Sequence, residues 1–171
     1  MLRGSGGDAV INGRSVTSEM PEIRASLGIC PQFDVLWPNL TVREHLQLYA
    51  AFGGMDRSLV DAAMVSAVAE VALSEKLEYP AGKLSGGQRR KLSLAVAFIG
   101  RPSVAFLDEP TSGMDPYSRR FTWEVIRRRA ADKNTTVVLT THFLDEADLL
   151  CDRIAIMSAC LLYTSPSPRD S

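Results

Sequence analysis

VAFLDEP, residues Val104 to Pro110, joins four apolar residues to two adjacent carboxylates and a proline. An apolar run without polar alternation suits a parallel strand covered on both faces. Two similar runs follow, Thr136-Val137-Val138-Leu139-Thr140 and Ile154-Ala155-Ile156-Met157. Between them, Asp115-Pro116 has the pattern of a helix N-cap followed by a first-turn proline, and another helix is predicted from about Leu144. Strand, helix, strand, helix, strand is the order of an α/β fold with a parallel sheet. Asp108 and Glu109 then emerge at the carboxyl end of a strand, where open α/β sheets bind ligands. Two neighbouring carboxylates at a buried strand end need a compensating cation or a titration role. Mg²⁺ on nucleotide phosphates, held through Asp108 directly or through a water, supplies that cation. Glu109 is left to orient or deprotonate an attacking water. Taken alone, the triplet also reads as a turn that ends a strand.

Upstream of this core the patterning changes. Asn12-Gly13 lies between short apolar segments, the strongest local signal for a hairpin, so a small antiparallel pair is expected to open the chain. Thr41 and Glu44 have the spacing of a capping box and lead into Val42, Leu46 and Tyr49 at helical intervals. Val60, Met64, Val68 and Val71 repeat the pattern up to Pro80. The residues from about 40 to 100 therefore read as a helical block inserted into the α/β core.

Composition narrows the class. The 171 residues carry 19 Lys and Arg against 20 Asp and Glu, so no global field draws the chain to nucleic acid, and no nucleic-acid partner is expected. The basic clusters at Arg89 to Lys91, Arg119 to Arg120 and Arg127 to Arg129 fall in helical stretches and read as solvated faces. Cys30, Cys151 and Cys160 have no C-x-x-C spacing, which points to reduced thiols in a cytosolic setting rather than zinc or disulfides. No apolar run approaches the roughly 18 residues of a spanning helix.

KLSGGQRRK, Lys83 to Lys91, adds a second chemistry. Ser85, Gly86 and Gly87 stand at a helix start, where free amides and the positive dipole end suit a phosphate and missing side chains let the backbone approach it. The phosphate-loop template G-x-x-x-x-G-K-[ST] is matched nowhere in the chain.

The order of these elements resembles an ATP-binding cassette domain. Gln32 corresponds to the Q-loop, Leu84 to Gln88 to the signature motif, Val104 to Glu109 to the Walker B strand, Ser112 to Asp115 to the D-loop, and His142 to the switch histidine. Gly28 to Leu36, Leu40 to Leu46, Arg90 to Ser93 and Ser112 to Arg120 are similar to the A subfamily of eukaryotic transporters, which is associated with lipid movement. The resemblance spans about residues 5 to 158. It implies a P-loop NTPase (RecA-like) core with an inserted helical subdomain, using ATP and Mg²⁺. By the same resemblance Glu109, His142 and Gln32 are catalytic, Asp108 and Gln32 face the metal, and Ser85, Gly86, Gly87, Gln88 and Asp115 contact nucleotide. The signature loop is expected to hold the nucleotide of a second cassette.

Several further expectations follow from the likeness. Phe33, Trp37 and Pro38 lie where cassettes receive their transmembrane domains, although packing of the helical block explains the aromatics equally well. His45 reads as a structural histidine. The domain is expected to span 1–160 and to sit at the cytoplasmic face through membrane segments outside this sequence. The phosphate loop and the adenine-stacking aromatic are expected upstream of Met1, so the sequence reads as a fragment with little ATPase activity by itself. Residues 161–171 shift to Ser, Pro and Arg and read as a disordered, non-native tail. Two competing functions remain at this level: a soluble cassette ATPase of translation or DNA maintenance, and an inactive fragment.

Overall fold

In a computed structural model of the chain, residues 6–132, 134–158 and 161–166 are described. Strands β1 (Val10–Ile11) and β2 (Arg14–Ser15) form the expected hairpin. Asn12 and Gly13 both have positive φ, 52° and 78°, as a two-residue turn matched to strand twist requires. A short helix α1 (Met20–Ala25) precedes strand β3 (Leu27–Cys30).

The inserted block comprises α2 (Val42–Phe52), α3 (Arg57–Glu70) and α4 (Gly86–Ile99). Two of these helices begin with a complete capping box. Thr41 Oγ1 accepts from Glu44 N while Glu44 Oε2 accepts from Thr41 N. Ser85 Oγ accepts from Gln88 N while Gln88 Oε1 accepts from Ser85 N. Each box satisfies amides that the first helical turn leaves without partners.

The core sheet has the order β3–β4–β5, with β4 at Val104–Asp108 and β5 at Thr136–Thr140, all parallel. The inserted block connects β3 to β4, and α5 (Pro116–Ala130) connects β4 to β5. The register aligns Cys30, Leu107 and Leu139, which therefore share one face. That face joins Leu92, Leu94, Val125 and Ile126 of α4 and α5 in the main hydrophobic core. Gly28 makes the closeness of β3 and α4 possible. A Cβ there would stand 2.0 Å from the Ala97 carbonyl oxygen.

Three expectations need correction. First, full cover on both sheet faces is not found among the described residues. Ile29, Phe106 and Val138 are in register on the opposite face, and Ile29 and Val138 are 47% and 41% exposed. The core helices α4 and α5 pack over the other side, so apolar runs fitted to burial on two faces are covered on one and partly on the other, where Val104 is buried and Phe106 half-buried. Second, Ile154 to Met157 does not extend this sheet. After α6 (Leu144–Leu150), β6 (Arg153–Ser158) pairs antiparallel with β7 (Leu161–Pro166) in a sheet of its own. An apolar strand does not by itself disclose its partner, and β6 is mostly exposed. Third, residues 161–166 are not an irregular tail, because they supply the ladder that β6 needs. Cys160 and residues 167–171 lie outside the described residues.

Candidate functional site

Parallel strands deliver their carboxyl ends to one edge, and that edge gathers the polar residues. Asp108 ends β4 and Glu109 follows it, while Thr140 ends β5, with His142 two residues beyond. Gln32 lies two residues past β3. Gln32 Nε2 donates to Glu109 Oε2 at 3.2 Å, and His142 Nδ1 lies 3.2 Å from Glu109 Oε1. Thr140 binds both acidic residues: its hydroxyl donates to Asp108 Oδ1, and its Oγ1 and carbonyl oxygen accept from Glu109 N at 3.2 and 3.0 Å. Three sequence-distant motifs thus meet on one carboxylate.

The backbone at this point is held in an unusual conformation. Glu109 has φ of 45°, in the left-handed region that residues other than Gly, Asn and Asp seldom adopt. Such a conformation costs about 1–3 kcal/mol and persists only where its surroundings enforce it. Here the Thr140 contacts and the guanidinium of Arg90 do so. Arg90 Nη2 donates to the carbonyls of Asp108 and Glu109 at 2.7 and 2.9 Å, and Nε donates to Pro110 O at 2.8 Å. The reading of Arg89 to Lys91 as a solvated face is therefore wrong at Arg90, which is only 5% exposed. Its signal was available: Arg90 shares a helical face with Leu94 and Ala97, both buried. Thr140 had no signal of its own beyond ending an apolar run.

The other basic clusters are likewise partly engaged. Arg129 makes a two-pronged contact with Glu70, Arg119 stacks on Phe143, and Lys91 lies over Phe121. Arg120, Arg127 and Arg128 are exposed, as expected of a solvated face.

Ser85, Gly86, Gly87 and Gln88 form the N-terminal turn of α4, and among the described residues no hydrogen bond joins them to the carboxylate cluster. The side-chain oxygens of Ser85 and Gln88 serve the capping box. Gly86 and Gly87 have negative φ, and a Cβ on either would meet nothing within 4 Å. Neither conformation nor internal packing demands glycine there. Since glycine weakens a helix by roughly 0.5–1 kcal/mol relative to alanine, the absent side chains favour something that approaches from outside.

Asp115 is the N-cap of α5, and its Oδ1 accepts from the backbone amides of Tyr117 and Ser118 at 3.0 Å. Hydrogen bonding from Ser118 holds its carboxyl below the ordinary aspartate range. The loop before it is anchored from behind. Thr111 Oγ1 and Trp123 Nε1 donate to Glu146 Oε1 at 2.8 and 2.7 Å, tying this loop and α5 to α6. His45 is fully buried, accepts from Trp37 N through Nε2, and pairs with Thr41 O through Nδ1, so its role is structural. Phe33 is 79% exposed, whereas Trp37 packs against the rings of His45 and Tyr49.

No group of three or more His, Cys, Asp or Glu residues that could hold a metal occurs among the described residues. The groups the strand edge could offer a cation are hard oxygens, those of the Asp108 carboxylate and the Gln32 amide. That set suits Mg²⁺ completed by waters and phosphate oxygens, which seldom uses a cage made wholly of protein.

Comparison with known proteins gives the family. The ABC transporter family model matches residues 1–112. The chain is 49% identical over 152 residues to the "Phospholipid-transporting ATPase ABCA3" of Homo sapiens, covering 89% of this chain and 9% of that protein. It is 48% identical over 158 residues to "ABC transporter A family member 6" of Dictyostelium discoideum, with 92% and 10% covered. It is also 47% identical over 156 residues to "ABC transporter A family member 2" of Arabidopsis thaliana, with 90% and 16% covered. The chain thus spans about a tenth to a sixth of these relatives. A solved structure described as "Structure of ATP binding subunit of ABC transporter" superposes with a TM-score of 0.79 at 27% identity, over 90% of this chain and 65% of that one. With the motifs in order, the sheet edge assembled and these likenesses in agreement, the chain belongs to the ABC transporter family, and the three relatives named above are A-family members of it by their names.

Proposed function

We propose that these residues bind and hydrolyse ATP for a membrane transporter that moves lipid. The observation that carries the reading is the convergence of Gln32, Glu109 and His142, from three separate segments, on one carboxylate at the carboxyl edge of the sheet. Glu109 is placed to accept a proton from a water attacking the terminal phosphate, within reach of Gln32 and His142. His142, more than half exposed, is free to turn toward that phosphate. Gln32 is neutral and makes a single long contact to Glu109, so it can engage and release as the site fills. Asp108 and Gln32 would hold Mg²⁺, which supplies charge neutralisation at the phosphates.

The Gly86–Gly87 turn supports a nucleotide phosphate as the outside neighbour, presented by a second cassette. Asp115, the D-loop residue at the head of α5, is proposed as a further nucleotide contact. Phe33, Val35 and Trp37 form an exposed apolar patch next to Gln32, suited to receive the membrane-spanning part of the transporter. Its substrate is proposed from the relative whose name states phospholipid transport. Among the described residues no helix is long and apolar enough to cross a membrane.

The test uses the full-length polypeptide that carries these residues, reconstituted in phospholipid vesicles. Glu109→Gln is expected to lower ATP turnover at least 100-fold while ATP still binds, measured by phosphate release and by nucleotide retention. Unchanged turnover would remove Glu109 from its role.

A further inference from the structure

Arg90 belongs to a stretch that resembles the A subfamily but carries no role assigned above, yet its guanidinium is heavily engaged beside the site. All five of its N–H donors have acceptors. Nε binds Pro110 O, Nη2 binds Asp108 O and Glu109 O, and Nη1 binds Pro31 O and Asp34 Oδ1. Asp34 is held a second time by Ser93 Oγ of the same helix, at 2.8 Å. One buried side chain on α4 therefore fixes the backbone on both sides of the Gln32–Glu109 contact: the residue before Gln32, and Glu109 together with its neighbours.

We propose that Arg90 is a positioning residue for ATP hydrolysis, aligning Glu109 and Gln32 by clamping the 31–34 and 108–110 segments to α4. The inference rests on the ATPase reading above. Its physical basis is the left-handed backbone of Glu109, which ordinary chain preferences oppose and which two of the Arg90 donors help to hold. Arg90 binds the backbone of Glu109 and not its carboxylate, so it sets the direction of the base through the main chain. The helix also imposes a geometry. Ser85, the cap of α4, precedes Arg90 by five residues, about 7.5 Å of helix rise with no hinge between. A displacement of the Ser85–Gly87 turn on meeting its nucleotide is passed to the clamp as a rigid-body motion. The loop serving one nucleotide and the base serving the other are thereby mechanically joined.

Arg90→Lys keeps the positive charge but has three donors on a single nitrogen instead of a five-donor fork. In the reconstituted full-length protein, with MgATP as substrate, kcat is expected to fall at least tenfold while KM for ATP stays within twofold. The double variant Gln32→Ala/Arg90→Lys should be no slower than the slower single variant, because both changes act through Glu109. A kcat within twofold of the unsubstituted protein, or losses that multiply in the double variant, overturns the proposal. If Arg90→Lys yields no folded protein, Asp34→Asn decides: it loosens the tie to the 31–34 segment, and a kcat loss of about threefold with unchanged KM supports the clamp, whereas unchanged kcat overturns it. Glu109→Gln measured in parallel separates the two claims. Turnover that survives Glu109→Gln defeats the ATPase reading, and with it this one. Turnover abolished by Glu109→Gln but untouched by Arg90→Lys defeats the clamp alone.

Discussion

Cys30 ends β3 with its side chain fully enclosed, and burial pushes the thiol from its ordinary 9.0 up to about 11. Because the folded state raises this pKa, the thiol's contribution to stability is complete below pH 9 and is lost as pH rises toward about 11. Native protein at pH 8 should therefore leave Cys30 unlabelled by iodoacetamide over hours, with labelling appearing on unfolding, as peptide mass mapping would show; rapid native labelling would contradict the packing. The sequence showed Cys30 only as a thiol outside any metal spacing. At this scale the residues legible in sequence were those whose chemistry is anomalous for their place: carboxylates closing an apolar strand, glycines opening a helix. Arg90 and Thr140 escaped because an arginine in a basic cluster and a threonine ending a strand each have an ordinary explanation. Only the fold shows that both hold the backbone around Glu109.

Elements are legible where side chains close their ends. Thr41, Ser85, Asp56 and Asp115 each cap a helix with an oxygen acceptor, and the helix starts at Thr41 and Asp115 were readable from spacing alone. Strand partners were less legible, since pairing is set by neighbours distant in sequence. Ile154 to Met157 has the composition of β4 and β5, yet its hydrogen bonds go to β7. Contact between elements adds constraints that composition hides, and Gly28 is the sharpest. With the Ala97 carbonyl oxygen 2.0 Å from where a Cβ would stand, β3 and α4 must separate to admit even alanine. Gly28→Ala is predicted to destabilise the fold by about 1–3 kcal/mol, the ordinary range for overpacking. Thermal melting of the full-length protein checks this, and an unchanged melting temperature would show that the contact is not kept.

Over the whole molecule, the parallel core and inserted helical block were foreseeable because their order along the chain follows their order in space. How completely the sheet is covered was not foreseeable, because cover depends on which side each crossover takes. The proposed coupling to a membrane partner through Phe33 and Trp37 belongs to the same scale. Phe33→Ala should change fold stability by less than about 0.5 kcal/mol, as expected of a surface position, yet lower lipid moved per ATP hydrolysed in vesicles. Trp37→Ala should cost about 1–2 kcal/mol, below a core cavity's usual 3–5, because the residue is 45% exposed while its ring packs on His45 and Tyr49. Transport per ATP unchanged in both variants would remove the patch from the interface. The partly open row of Ile29, Phe106 and Val138 carries a different consequence, for colloidal behaviour. An apolar sheet face on which Ile29 and Val138 stay 47% and 41% exposed is adhesive, so these residues handled by themselves favour self-association, which detergent during purification should counter.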